Sequence, residues 1–197
     1  DEAIQEYDNN IGLSRPLRSL AMTKQKYLNR SVLINNEGNI ATHYDKIHLF
    51  DISLPSGETH AESKRFHHGE HAVVAQTPWG GLGMTICYDV RFPYLYRALA
   101  KRGADFLTIP AAFTHFTGEK GGGHVLCRAR ARETGCFVFA PAQCGAHPGD
   151  RNTYGHSLII HPWGDILAEA GEEPGIITAE IAVSYTHLRA HETPLHR

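Results

Sequence analysis

The stretch GMTICYDVRFP, residues 83–93, joins an apolar run to an abruptly polar segment at Cys87. Residues 82–86 have the length and composition of a buried strand, and Pro93 favours the first turn of a helix that runs to Arg102. The pattern therefore predicts a strand, a tight turn and a helix, with the Cys87 thiol at the carboxyl end of the strand. Open α/β sheets place their functional sites at this end.

Strand and helix patterns alternate on both sides of this stretch. Residues 31–34 and 40–44 flank Asn35-Asn36-Glu37-Gly38, whose Asn and Gly residues tolerate the positive φ of a tight turn, so a hairpin is predicted. Further strands are predicted over residues 72–76, 106–109, 137–140, 157–160, 166–170 and 175–181, and helices over 16–26, 91–102 and 124–134. The alternation predicts the α/β class, with a mixed sheet or a pair of sheets faced by helices.

Composition excludes several classes of partner. The 197 residues carry 19 Lys+Arg against 21 Asp+Glu, a net charge of −2, and the only dense basic cluster is Arg128, Arg130 and Arg132. A nucleic-acid surface would show a basic face, so none is expected. No apolar run reaches the roughly 20 residues that span a bilayer, and the first ten residues are polar. We therefore expect a cytoplasmic protein without a membrane contact.

The spacing of the cysteines predicts neither a metal site nor a disulfide framework. The four cysteines form no C-x-x-C pair, and their density is low for a disulfide framework. His60-Ala61-Glu62 matches half of a zinc-deaminase signature, but the P-C-x-x-C half is missing. We expect no metal and no cofactor.

Cys87 is the strongest candidate for chemistry, with Lys46 as its partner. A buried cysteine is often only a small core residue, and a lysine after a strand is usually solvated. At a strand end before a helix, however, a thiol is expected to have its pKa lowered, and a partly buried ammonium could hold a thiolate and an oxyanion. The pair also needs a carboxylate base, for which Glu58, Glu62 and Glu70 are all available.

Three motifs resemble those of the nitrilase superfamily of carbon-nitrogen hydrolases. YDKIHLFD at residues 44–51 looks like its lysine motif, residues 83–93 like its cysteine motif, and YGHS with PWG at 154–157 and 162–164 like its later signature. The segments RARARETG at 128–135 and AQCG at 142–145 look most like the Nit-type amidases. The similarity runs from about residue 29 to residue 181.

The resemblance implies roles for particular residues. Cys87 would attack the carbon of a linear carboxamide, and Lys46 and the Tyr88 backbone N–H would stabilise the oxyanion. Glu62 falls on the second glutamate of the family and would hold Lys46 and the substrate, while Ala112 and Phe113 match the segment that lines the substrate pocket. Ammonia would leave, and water would hydrolyse the thioester. The implied substrate is an ω-amide of an α-keto acid, such as deaminated glutathione.

The resemblance also implies a four-layer α-β-β-α sandwich that forms homodimers and uses no cofactor. The family's base glutamate lies in an N-terminal strand, and residues 1–28 contain no matching motif. We therefore expect an N-terminal remnant at 1–28, a partial hydrolase domain at 29–183 and an atypical, disordered or foreign tail at 184–197. Without a base, turnover should fall by roughly 10² to 10⁴.

Two other interpretations remain. The chain could be a non-catalytic binding or scaffold protein that keeps the fold and lacks the base. A papain-like cysteine protease would need a Cys-His pair, for which His124, His147 and His156 are available, although nothing local resembles the cysteine signature of that family.

Overall fold

The structure is a computed structural model, and it describes residues 26–53, 57, 59–149 and 151–182. Its strands, in chain order, are β1 (Tyr27–Leu28), β2 (Arg30–Ile34), β3 (Ile40–Asp45), β4 (Asp51–Ser53), β5 (Thr59–Ala61), β6 (Phe66–His67), β7 (Val73–Thr77), β8 (Gly80–Met84), β9 (Ala104–Thr108), β10 (Phe137–Ala140), β11 (Cys144–His147), β12 (Arg151–Tyr154), β13 (Leu158–Ile160) and β14 (Ile166–Glu169). The α-helices are α1 (Pro93–Lys101), α2 (His115–Glu119) and α3 (Gly122–Thr134), and short 3₁₀ helices span Glu62–Lys64 and Cys87–Arg91. The helix predicted over 16–26, except Lys26, lies outside the described residues, as do Glu58 and the tail at 184–197.

One six-stranded sheet organises the molecule, in the order β14-β13-β10-β9-β8-β7. The central strands β8, β9 and β10 are parallel. β7 on one side, and β13 and β14 on the other, pair antiparallel with their neighbours. The predicted α/β class with a mixed sheet is thus confirmed, and none of the helices in the described part of the chain is long and apolar enough to cross a bilayer.

Helices α1 and α3 cover one face of this sheet. Pro93 begins α1, as the sequence predicted, and the helix ends just before Gly103. The apolar faces of both helices and the facing sheet residues form one buried cluster, which includes Leu95, Tyr96, Leu99, Cys127, Ala131, Met84, Leu107, Val138 and Ile160. Each large apolar side chain buried in this way contributes about 1.5–3 kcal/mol relative to leaving it exposed.

The opposite face of the sheet is also apolar. Phe106, Phe137 and Ile159 are buried and alternate along their strands with residues of the helix-side cluster. The rings of Phe106 and Phe137 lie with centroids 6.0 Å apart. The sheet therefore buries both faces, as an inner layer of a sandwich does.

The predicted hairpin is formed by β2 and β3, which pair antiparallel. β3 contacts β7, and its Tyr44 is fully buried in the helix-side cluster. Lys46 follows directly after β3. The backbone groups of Lys46 bond to the Asn29 carbonyl at 2.8 Å and to the Gly69 N–H at 2.8 Å, which fixes the lysine between two other segments.

The basic cluster on α3 has a structural role. Arg128 Nε donates to the Gly164 carbonyl at 2.7 Å, and Arg132 Nη1 donates to the Trp163 carbonyl at 3.3 Å. These bonds attach α3 to the turn between β13 and β14.

One predicted strand was wrong. Residues 175–181 form no strand, and they pair with no strand of the described chain. The side chain of Ile176 is 93% exposed. An apolar run indicates a strand only where a neighbouring strand can accept its backbone hydrogen bonds.

Candidate active site

Cys87 lies in a tight elbow three residues after β8. Its φ of 48° is in the left-handed region, which L-residues resist, and its N–H donates to the Pro110 carbonyl at 2.9 Å. Nucleophiles of α/β hydrolases are presented on strained strand-to-helix turns of this kind. The elbow lifts the Cys87 side chain out of the strand and into a cavity.

Lys46 and Glu62 form an ion pair beside this elbow. Lys46 Nζ lies 2.5 Å from Glu62 Oε2, and the side chains are only 3% and 13% exposed. The Glu62 carboxylate also accepts from the Phe50 N–H at 2.6 Å and from Asn29 Nδ2 at 2.9 Å. The Glu62 carboxylate is therefore held in one geometry by groups from two other segments of the chain.

The Glu62 carboxyl remains ionised despite its burial. Burial alone would raise the pKa of Glu62, but the hydrogen bonds from Lys46, Asn29 and Phe50 outweigh burial and hold the pKa below its ordinary value. Glu62 therefore holds a negative charge against the Lys46 ammonium.

The pKa of the Cys87 thiol is shifted in the direction opposite to the one predicted. Burial raises the pKa of Cys87 above its ordinary value, and the Ala112 backbone N–H and the Lys46 charge lower it by less. The charges of Glu62 and Asp89 raise it further. The prediction of a lowered pKa was wrong, because it relied on the position of the thiol before a helix and omitted desolvation.

All six residues selected from the sequence line one cavity of about 870 Å³. They are Lys46, Glu62, Cys87, Tyr88, Ala112 and Phe113. Ala112 and Phe113 follow β9, at the same end of the sheet as the cysteine elbow. The structure thus brings these side chains together, and their individual roles stay predictions.

The other candidates are not in this cavity. Glu70 is exposed and does not line it, so within the described ranges Glu62 is the one glutamate of the lining. His124, His147 and His156, which a papain-like pair would require, do not line it either. His147 Nε2 instead lies 2.6 Å from Thr153 Oγ1, in the β11–β12 hairpin.

Sequence reasoning missed Asp89, which links the segments that carry Lys46 and Cys87. Its fully buried carboxylate accepts from the Tyr44 hydroxyl at 2.7 Å, from the Ile86 N–H at 2.9 Å and from the His48 N–H at 3.0 Å. His48 Nδ1 lies a further 2.7 Å from Asp89 Oδ1. The available signal was the presence of Asp89 in a polar segment directly after a buried strand.

Sequence reasoning also missed a set of cations in the lining. Arg65, Arg91 and Arg151 line the cavity, and none of the three forms an ion pair with a residue that the structure describes. The three arginines come from distant parts of the chain, so no local pattern could have grouped them.

The chain is similar to carbon-nitrogen hydrolases over most of its length. The family model described as "Carbon-nitrogen hydrolase" matches residues 5–190. A deaminated glutathione amidase from Synechocystis sp. is 50% identical over 158 residues, which are 79% of this chain and 58% of that protein. The chain thus spans less than two thirds of the length of this relative.

Solved structures show the same fold. The Caenorhabditis elegans NitFhit protein matches with a TM-score of 0.76 and 41% identity, over 82% of this chain and 39% of that chain. A mutant of the amidase from Nesterenkonia sp. AN1, with the acetamide moiety of fluoroacetamide added covalently at its active-site cysteine, matches with a TM-score of 0.68 and 30% identity. That match covers 85% of this chain and 60% of the amidase. The nitrilase type of α/β fold is thereby confirmed.

Proposed function

We propose that this chain, which belongs to the carbon-nitrogen hydrolase family, hydrolyses linear carboxamides through Cys87. The observation that carries the proposal is the Lys46–Glu62 ion pair at 2.5 Å in the cavity that Cys87 also lines. A buried ammonium beside a nucleophilic thiol is the arrangement that amide cleavage requires, because negative charge develops on the carbonyl oxygen.

The reaction proceeds in two steps. The Cys87 sulfur attacks the amide carbon, and the Lys46 ammonium and the Tyr88 N–H stabilise the oxyanion of the tetrahedral intermediate. The C–N bond breaks, the nitrogen takes up the proton that the Cys87 thiol has lost and leaves as ammonia, and a thioester remains on Cys87. Water then adds to the thioester carbon, the C–S bond breaks, a proton from the water returns to the Cys87 sulfur, and the carboxylic acid is released.

The raised pKa of the Cys87 thiol means that attack requires a proton acceptor. Glu62 is the one glutamate in the described lining, and its lowered pKa makes it a weak base. Glu62 therefore acts mainly by holding Lys46, and the rate depends on how readily the thiol proton is removed.

The preferred substrate is an anionic linear amide, such as the ω-amide of an α-keto acid. Arg65, Arg91 and Arg151 supply positive charge at the cavity wall, and Phe113 and Leu126 supply apolar surface. A volume of about 870 Å³ accommodates a molecule of tripeptide size. Relatives that carry the name deaminated glutathione amidase support this class of substrate.

The test is ammonia release from an α-keto-ω-amide, compared between the unmodified chain and Cys87→Ala. We expect release that Cys87→Ala abolishes, together with an acyl adduct on Cys87 detected by mass spectrometry. Cys144→Ala is the matched control, because Cys144 is half-buried and lies outside the cavity lining. Equal release from Cys87→Ala would refute the proposal.

A non-catalytic binding protein is the second candidate, and it is favoured by a described cavity lining that contains no glutamate besides Glu62. In that case the amide would bind, as measured by calorimetry, and no ammonia or acyl adduct would form. The expected homodimer and cytoplasmic location stay predictions, and sedimentation velocity tests the former.

A further inference from the structure

Three side chains from separate elements meet at one point, outside the lining of the candidate active site. His124 belongs to α3, Glu169 belongs to β14, and His156 follows β12. His124 Nε2 and His156 Nδ1 each lie 2.8 Å from Glu169 Oε1. The three potential ligand atoms all lie within 4.8 Å of one another.

We propose that His124, His156 and Glu169 bind a divalent transition-metal ion of the zinc class. Two imidazole nitrogens and one carboxylate oxygen are a common ligand set for zinc, which leaves a fourth position for water. Tetrahedral bonds of about 2.0–2.1 Å place ligand atoms roughly 3.3 Å apart. Glu169 would therefore retreat by about half an ångström, which its 35% exposed side chain permits, and the two imidazole nitrogens, which lie within 4.8 Å of one another, would move closer together.

The His156 ring is held in a defined position before any ion binds. Its φ of 55° makes it, with Cys87, one of two non-glycine residues of the described chain in the left-handed region. Such backbone strain persists only where the surroundings impose it, and it concentrates at functional sites. The Tyr154 ring stacks on the His156 ring at 4.3 Å, which fixes the plane of the imidazole.

The second nitrogen of His156 has a suitable partner. Glu172 Oε1 lies 3.9 Å from His156 Nε2, on the side of the ring away from Glu169. Histidines that bind metals usually donate their other N–H to a carboxylate, which leaves the ligating nitrogen unprotonated. At 3.9 Å the two groups are not hydrogen-bonded, and a small movement of the 61% exposed Glu172 side chain would form the bond that favours this tautomer.

An ion at this point would fasten the start of α3 to the edge strand β14. Three consecutive glycines, Gly121 to Gly123, precede His124, and their backbone entropy weakens this end of the helix. Gly122 and Gly123 also line the cavity that contains Cys87. The ion would therefore order one wall of the cavity and lower the KM for the amide, a consequence that rests on the proposed function.

Metal binding is tested directly by titrating Co²⁺, then Zn²⁺, into chelator-treated protein. We expect one Co²⁺ per chain with the visible absorption bands of tetrahedral coordination, displaced by Zn²⁺. Glu169→Gln and His156→Ala should each weaken binding by at least about tenfold, and Glu172→Gln by a smaller factor. Zinc should also raise the midpoint of thermal unfolding in the unmodified chain and not in Glu169→Gln.

The chain has 14 histidines, so stoichiometry alone would not identify the site. His67→Ala is the matched control, because His67 is exposed and lies on β6, away from the cluster. If Glu169→Gln and His124→Ala bind Co²⁺ as tightly as the unmodified chain, the proposal is wrong and the cluster is only a hydrogen-bonded clamp. Binding of the ion without ammonia release would contradict the proposed hydrolase function and leave the metal site standing.

Discussion

The Tyr44 hydroxyl donates to Asp89 Oδ2 at 2.7 Å, and this buried bond joins the lysine segment to the cysteine elbow. His48, two residues after Lys46, also bonds to Asp89 through its N–H and its ring, and the ring stacks on Phe92 at 3.7 Å. Asp89 in turn lies two residues after Cys87. Asp89 therefore contributes to the relative position of the ammonium and the thiol, beside the backbone bonds that hold Lys46 and Cys87.

Asp89→Asn should destabilise the fold and reduce turnover together. An amide offers one acceptor oxygen where the carboxylate has two, and its NH₂ group would face donors, so we expect a loss of about 3 kcal/mol in the free energy of unfolding. Urea unfolding measures the loss, with Asp165→Asn as the exposed control. In the fraction that stays folded, kcat should fall more than KM rises. A stable variant with normal kcat would contradict the linking role.

Glu62→Gln should separate thiol reactivity from amide hydrolysis. The Glu62 charge raises the pKa of Cys87, so its removal should lower that pKa and move the alkylation of Cys87 by iodoacetamide to lower pH. Hydrolysis should nevertheless fall by about 10- to 100-fold, because Lys46 loses its partner. The control is Glu70→Gln, outside the cavity. An unchanged alkylation profile in Glu62→Gln would show that this charge does not reach the sulfur.

Stability should decrease at alkaline pH. Burial raises the pKa of the Cys127 thiol from 9.0 to about 12. Because the folded-state pKa lies above the unfolded one, the protonated thiol contributes stability in full below pH 9, and this contribution is lost as the pH rises towards 12. The urea midpoint should therefore fall between pH 8 and pH 10.5, and fall less in Cys127→Ala. If the urea midpoint falls equally with pH in the unmodified chain and in Cys127→Ala, ionisation of Cys127 is not the cause.

Gly69→Ala should disturb Lys46 through the backbone. A Cβ at Gly69 would lie 2.1 Å from the Asp45 carbonyl oxygen, and the Gly69 N–H bonds to the Lys46 carbonyl at 2.8 Å. We expect a loss of about 2–3 kcal/mol in the free energy of unfolding. Gly171→Ala is the matched control, because its Cβ would meet nothing within 4 Å, and it should change stability by less than about 0.5 kcal/mol. Equal effects from the two variants would contradict the steric argument.

Local patterns predicted most of the sheet. The hairpin of β2 and β3, the strand β10 and the helix α1 were expected from alternation, turn residues and Pro93, and the structure has them within one or two residues. The β11–β12 and β4–β5 hairpins were not predicted. Cys144–His147 and Arg151–Tyr154 contain few β-branched or aromatic residues, and their pairing is decided by tertiary contacts.

Six residues of the cavity lining were predictable from the sequence, whereas Asp89, the lining arginines and the electrostatics of the cavity were not. Cys87, Lys46 and Glu62 follow from the motifs, whereas the direction of the Cys87 pKa depends on how deeply the sulfur is buried, which spacing does not encode. The same holds for the cluster of His124, His156 and Glu169. His124 lies 45 positions and His156 13 positions before Glu169 in the chain, so only the folded structure shows them as a group.

The parallel arrangement of β8, β9 and β10 also sets how the chain acquires its structure. Each of these pairings closes a loop that contains at least one helix, as in the pairs Met84–Thr108 and Thr108–Phe139. Such non-local pairing is slow, since the entropy of closing each loop is lost before the strands can bond. The apolar strands on either side of Cys87 thus remain accessible during folding, and the nascent chain is most prone to aggregate before β10 has been synthesised.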